Sequence, residues 1–517
     1  MMGRHTAAQP FNPRLLLVFI ATAVSVVAFI FFYRQGSTLG YKDTFSHLEI
    51  GRRIVVGQAT GLGQLGGIWL PLQHILMIPL VWSSTLYYTG LAGSLISMGA
   101  YVICVVAVFG IVRMLTRSHW GAWTGAAVFG LNPEILYLQS TPMGEMLMYA
   151  LLLLAVLCLI AWAQTDQYRY LLLGAVSTLA MSLVRYEGWV MTIVLLGVVF
   201  YACARNGYRF FRGDQKGQGL LLAFSYIALL GIIGWMLWNY LIFDDPLNWL
   251  RGQYSSREQM IGISPIQTGD LPLSIKTYAL GLRYTLTIPV LLLSAIGLVF
   301  LTAREKGSVQ SVAVLSLLVP GLFLVYGLYS NSQPMFLPEF NGELYNIRFS
   351  LVALLPCSVA CGYLVGILPR RYLLRQIVGT LGIAAVATYS LFVFVSDPTN
   401  MILGNREAHN SIEAQEGQQL ASEWIDRNTT GRVLIESFEN ERAVFDIQSR
   451  VVYEGSPDWE AALEDPTSNN ISVIVMRTDS HGTDRVSSSL SGSPALDGWT
   501  KVYDTQPYEI YEREGSL

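Results

Sequence analysis

The sequence predicts an all-α polytopic membrane protein of about 11–13 transmembrane helices with a small C-terminal α/β domain. Three observations predict it. Of 517 residues, 52% are hydrophobic and only 13% charged, against about 25% charged in ordinary soluble domains. Apolar runs long enough to cross a bilayer recur along the chain, and crossing takes about 20 such residues. The charge is divided: about 22 Asp/Glu face about 9 Lys/Arg after Ser396, although the whole chain carries only −3. The boundary therefore falls near Asp397, with residues 1–396 as the membrane domain and 397–517 as an acidic soluble domain that disfavours nucleic acid.

The first span is LLLVFIATAVSVVAFIFFY, residues 15–33. It is too long for a signal-peptide core and reads as a retained helix. Further spans are expected at 92–114, 120–138, 146–163, 170–187, 188–204, 219–243, 284–303, 309–330, 348–368 and 376–396. Pro71 to Tyr88 is apolar but holds Pro71 and Pro79. It is expected to lie in the interface, broken by those prolines. Alternate loops carry the bases Arg4 and Arg14; Arg113 and Arg117; Arg169; Arg205, Arg209, Arg212 and Lys216; Arg304 and Lys306; Arg370, Arg371 and Arg375. The positive-inside rule puts those loops, and the N-terminus, in the cytoplasm. Eleven spans then leave the tail outside. In the tail, EAQEGQQLASEWIDRN and DWEAALED are helix-like, and RVLIES, RVVYEG, ISVIVMRT and WTKVYDTQPYEIYERE are strand-like. The five cysteines all sit in or beside apolar runs and suggest neither a disulfide framework nor a zinc motif.

Polar residues at the outer ends of the spans are the candidates for chemistry. YKDTFSHLEIGRRI follows the first span and predicts an amphipathic interfacial helix starting near Thr44, with Asp43 at its N-terminus. Asp43 is either a loop carboxylate capping that helix or a general base for an incoming hydroxyl. His47 and Arg53 lie on the same stretch. Glu145, in TPMGEML, either complements a helix start or takes part in the site. Arg185 and Glu187, in SLVRYEGWV, form either a structural ion pair or a phosphate-binding turn. Arg348, beside Tyr345 in YNIRFSLVALLP, either snorkels to headgroups or binds phosphate. Asp245, Trp249 and Tyr254 lie in a polar, aromatic outer loop and either belong to the interfacial belt or contact a sugar. A divalent cation could take over part of the arginine role, with Asp43, His47, Glu145 or Glu187 as ligands.

The pieces KDTFSHLEIGRRIVVG, GGIWLPLQHILMIPL, TPMGEML, LVRYEGW, WNYLIFDDPLNW and YNIRFSLVALLP occur in an order that resembles the GT-C superfamily of integral-membrane glycosyltransferases. The similarity is to the branch of protein O-mannosyltransferases and the aminoarabinose transferase. It implies transfer of a sugar from a polyprenyl-phosphate-linked donor to a hydroxyl on a glycan, lipid or protein, on the outer face and with inversion. Asp43 then matches the catalytic first-loop aspartate, and Arg185 and Arg348 receive the donor phosphate. His47, Arg53, Glu145, Glu187, Asp245, Tyr254 and Tyr345 become substrate-binding candidates. Two departures stand out. Asp43 is followed by Thr44 where many members have Asp-Glu, and Arg185-Tyr186-Glu187 stands where related enzymes often carry a lysine-centred turn. The competing class is a transporter or flippase for a lipid-linked saccharide, for which paired broken helices in two related halves are expected. No internal repeat of that kind is visible.

Overall fold

The computed structural model describes residues 13–207, 215–260, 263–369, 373–479 and 484–513. Arg4, Arg209, Arg212, Arg370 and Arg371 lie outside the described residues. The chain opens with α1 (Pro13–Arg34), α2 (Lys42–Arg53), α3 (Leu72–Val81), α4 (Ser84–Tyr88), α5 (Leu91–Thr116), α6 (His119–Gly130), α7 (Pro133–Leu138), α8 (Glu145–Thr165), α9 (Tyr168–Ser182), α10 (Glu187–Arg205) and α11 (Gln215–Phe243). Helical segments Ile288–Glu305, Val309–Tyr329, Ile347–Gly366 and Leu374–Ser396 follow. Among the described residues, nine helices are long and apolar enough to cross a membrane. The expected span 120–138 is instead divided into α6 and α7. Asn132 accepts from Ile135 N at the break and Pro133 starts the new helix, because proline suits a first turn and not a helix interior. The expected span 170–187 stops at Ser182, leaving Leu183–Tyr186 as a turn.

Two other expectations change. Pro79 lies inside α3, and the break in this apolar stretch comes at Trp82–Ser83, where Ser83 caps α4. The outer loop 244–283 contains a sixteen-residue helix, Leu271–Leu286, started by Asp270 accepting from Leu273 N and by Pro272.

The chain reverses at each loop, so the basic loops gather at the end away from Asp43. There Tyr201 Oη donates to Gly307 O (2.5 Å), Lys216 pairs with Asp166 (3.2 Å) and Tyr363 Oη reaches Glu305 (3.1 Å). In the bundle, α6 and the helix Leu354–Gly366 approach at glycines. A Cβ at Gly121 would sit 2.5 Å from Gly362 O, the small-residue contact that packs helices where no hydrophobic effect separates them from lipid.

The tail forms a five-stranded sheet in the order β2-β1-β3-β5-β4, from β1 (Arg432–Leu434), β2 (Val451–Val452), β3 (Ile471–Arg477), β4 (Trp499–Thr505) and β5 (Tyr508–Arg513). The first three strands in that order are parallel, and β5 and β4 are antiparallel. Apolar clusters cover both faces, around Val433 and Val473 on one and Leu434 and Ile474 on the other. The tail seats on α2 and α4 through Phe445, whose ring stacks on Tyr87 (4.5 Å) and meets Phe45 edge-on (5.0 Å). As a result α2 is not a surface helix. Only Lys42, Asp43, Ser46 and Arg53 keep partial exposure.

Between the last span and the sheet, helices Leu403–Ala414 and Glu416–Asn428 occupy the stretch where one helix, 413–428, is expected. The first of them packs on α7 and on the segment before Arg348. Its seat is set by Glu134, whose carboxylate accepts from Leu403 N (2.6 Å) and Gly404 N (2.9 Å).

Candidate active site

Five segments far apart in the chain meet at one point. Asp43 stands in the first turn of α2 and Glu145 in the first turn of α8. Arg185 occupies the turn before α10, and Glu187 begins that helix. Arg348 lies in the first turn of Ile347–Gly366. Glu407 comes from Leu403–Ala414. Acids at helix starts are placed where the N-terminal dipole favours them.

Arg348 is the hub, with only 4% of its side chain exposed. Its Nε donates to Glu145 Oε1 at 3.0 Å, an Nη2 proton goes to Asp43 Oδ2, and Nη1 lies 3.6 Å from Glu407. The same Glu145 oxygen accepts from Arg185 Nη1 at 2.9 Å. Arg185 then holds Glu187 through Nη2 at 2.9 Å. Both guanidinium groups flank Phe349, each 5.3 Å from its ring centre, and Arg348 also lies 4.7 Å from Tyr41. The acids and bases alternate: Asp43, Arg348, Glu145, Arg185, Glu187. Two acceptor positions remain open. Glu145 Oε2 is buried without a partner, beside a narrow crevice lined by Tyr149, Arg185, Phe349 and Leu324. Asp43 Oδ1 carries no hydrogen bond from the described residues, and its side chain is 29% exposed.

The other candidates lie around this cluster. His47, one turn from Asp43, has Nδ1 2.9 Å from His74 Nε2 and its ring against Trp69. Burial pushes His47 down to about 4, against the opposing pull of Asp43 and Glu145, so the imidazole is neutral near pH 7. Tyr345 packs on Phe336 near Asp43. Arg53 is elsewhere, paired with Glu49 at 2.9 Å and lying over Tyr453 of the tail at 3.9 Å. Tyr254 donates to Glu436 of the tail at 3.0 Å. Asp245 accepts from Leu247 N at 2.8 Å within its own turn. Trp249 lies flat on Tyr186, 4.7 Å between centroids, so its loop covers the Arg185 turn.

Asp43, Glu145 and Glu187 engage guanidinium groups, while His47 pairs with His74. Among the described residues, no three His, Cys, Asp or Glu side chains converge as metal ligands. These residues therefore do not fit a cation held by the four together.

Glu407 escaped the sequence reading. Its helix is polar and follows an apparent domain boundary. The visible signal was the spacing of Gly404 and Ala408, small residues on one face. A Cβ at Gly404 would lie 2.7 Å from Tyr41 Oη.

No protein-family model matches the chain, and no curated protein does. Solved structures do. ArnT from Cupriavidus metallidurans, bound to undecaprenyl phosphate, matches with a TM-score of 0.61 at 12% identity, over 96% of this chain and 98% of that one. The archaeal oligosaccharyltransferase AglB from Archaeoglobus fulgidus, in complex with an inhibitory peptide and a dolichol-phosphate, matches with a TM-score of 0.53 at 10% identity, over 98% of this chain and 74% of that one. The likeness is one of fold. This chain shares the fold of those two structures, a multi-pass helical bundle carrying a small C-terminal α/β unit.

Proposed function

We propose that this protein is a membrane glycosyltransferase that moves a sugar from a polyprenyl-phosphate-linked donor to a hydroxyl acceptor, with inversion at the anomeric carbon. The observation that carries this reading is the Asp43–Arg348 pair, which sets a carboxylate with one open oxygen beside the buried guanidinium of Arg348 and the partly buried one of Arg185. The lipid phosphates bound by the two fold relatives support the donor class.

The chemistry is one displacement. Asp43 Oδ1 takes the acceptor's hydroxyl proton as the acceptor oxygen bonds to the sugar C1. The bond from C1 to the phosphate oxygen breaks, and its electron pair leaves with the polyprenyl phosphate. The carbon passes through an oxocarbenium-like state, as in other glycosyl transfers. Arg348 and Arg185 bind the phosphate oxygens in bidentate fashion. To do so they exchange a carboxylate partner for phosphate. On Arg348 that partner is Asp43, whose side chain is the more exposed of the pair. Donor arrival then releases the base where the acceptor enters. The surrounding burial keeps water from competing.

In this reading residues 1–396 form the transferase domain, with the N-terminus in the cytoplasm. Residues 397–517 stand outside and frame the acceptor, which is a glycan, lipid or protein hydroxyl. The test is Asp43→Asn in purified protein. Transfer should disappear while polyprenyl phosphate still co-purifies, as read by mass spectrometry of bound lipid. Undiminished transfer would remove Asp43 from the mechanism.

A further inference from the structure

Arg348 is held from three sides, and one of those sides does not belong to the membrane bundle. Glu407 follows the last span by eleven residues, counting from Ser396. Its Oε1 accepts from Asn346 N at 2.7 Å and its Oε2 from Ile347 N at 3.1 Å. Those are the two residues immediately before Arg348. Asn346 adopts φ 56°, a left-handed turn that asparagine tolerates, and this turn presents both N–H groups to one carboxylate. The side chain is 5% exposed and lies 3.6 Å from Arg348 Nη1. Glu407 therefore fixes both the backbone that carries Arg348 and the far edge of its guanidinium plane.

We propose that Glu407 is a positioning residue for Arg348, so that the tail-side helix Leu403–Ala414 completes the phosphate-binding side of the site. This rests on the reading of Arg348 as a phosphate ligand. When phosphate replaces Asp43 at Nη2, Glu145 at Nε and Glu407 at Nη1 still hold the guanidinium plane. The incoming phosphate then meets a fork already oriented, and orientation set beforehand lowers the cost of binding. Without Glu407 the plane is held from one edge only. The helix itself has a separate anchor, because Glu134 caps its N-terminus without touching Arg348.

That separation gives the test. Glu407→Gln keeps the shape and one acceptor oxygen but removes the charge. Glu134→Gln weakens the seat of the same helix and leaves Arg348 alone. Each variant is compared with the full-length parent protein at pH 8, where the Glu407 carboxylate is ionised, for binding of polyprenyl phosphate and for the split between the donor KM and kcat. Glu407→Gln should weaken lipid-phosphate binding and raise the donor KM about tenfold, the loss of one charge-assisted contact, with kcat within about twofold. Glu407→Asp should recover part of that loss, and Glu134→Gln should lower thermal stability with the KM unchanged. The proposal is overturned if Glu407→Gln binds donor as the parent does, or if Glu134→Gln raises the KM equally. A parent protein with no transfer from any polyprenyl donor would sink the transferase reading. Unaltered lipid-phosphate binding in Glu407→Gln would sink this one alone.

Discussion

Two arginines that pair with acids of α2, Arg53 at its end and the buried Arg348 beside its start, make an instructive pair. Arg53 meets Glu49 on its own helix, four residues away, and the Tyr453 ring of the tail lies over it. Arg348 meets Asp43, Glu145 and Glu407, which lie 305, 203 and 59 residues away in sequence, the last counted as 407 − 348. The first is a local pair closed by an aromatic lid. The second draws on four segments and ends at an open carboxylate oxygen and an orphaned one. Both bases are expected on the outer side, against the positive-inside trend, and in the sequence they look alike. Closure separates them. A capped pair stabilises the seam between bundle and tail, whereas a pair with open acceptors can exchange partners.

The largest expected effect would break this contrast at its centre. Asp43→Asn should lower transfer about 10²–10⁴-fold, the usual contribution of a positioned base, with little change in melting temperature. Arg348→Ala comes next. It leaves the buried Glu145 and Glu407 carboxylates without their shared cation, and should cost about 3–5 kcal/mol in unfolding measurements along with donor binding. Arg348→Lys should also fail in transfer, because an ammonium cannot reproduce the fork. Arg53→Lys should lower the melting temperature but reduce transfer per folded molecule less than tenfold. A greater fall would place Arg53 with the chemistry and erase the distinction.

A pH measurement sharpens it further. Burial pushes Glu407 up to about 7, against the pull of Arg348 and its two backbone donors. The nearby Asp43 carboxylate adds to the upward push. The folded state therefore holds a proton on Glu407 that the unfolded chain releases near 4.5. Its stabilising contribution is complete below that value and fades as pH rises toward 7. A melting-temperature profile between pH 4.5 and 7.5 should be flatter for Glu407→Gln than for the parent. The smallest effect is expected at Lys42, which sits 3.7 Å from Glu441 and 3.8 Å from Glu439 at a partly exposed seam. Lys42→Ala should change stability by no more than about 1 kcal/mol, as exposed pairs do.

The sequence was most legible where solvent decides. Apolar length placed most of the long helices, because lipid and water sort side chains with few exceptions. It failed at local breaks such as Asn132-Pro133, where hydropathy is blind to hydrogen bonding. At the site it identified Asp43, Glu145, Arg185, Glu187 and Arg348 as polar residues at span ends. It could not separate them from Arg53, Asp245 or Tyr254, which share their composition and placement but engage the tail or their own turn. Glu407 was hidden because the polar stretch after Asp397 resembles the soluble tail in composition, although its helix packs on the bundle.

By itself, then, the sequence determined the membrane bundle and the α/β character of the tail, while the nine helices long and apolar enough to cross among the described residues fall short of the eleven spans expected. Bundle and tail character follow from hydropathy and periodicity, properties of neighbouring residues. Only the tertiary structure decided which charges share a partner, since Arg348 finds its carboxylates between 59 and 305 residues away. Ion pairs act over a few ångströms of space, and the distance along the chain carries no trace of that.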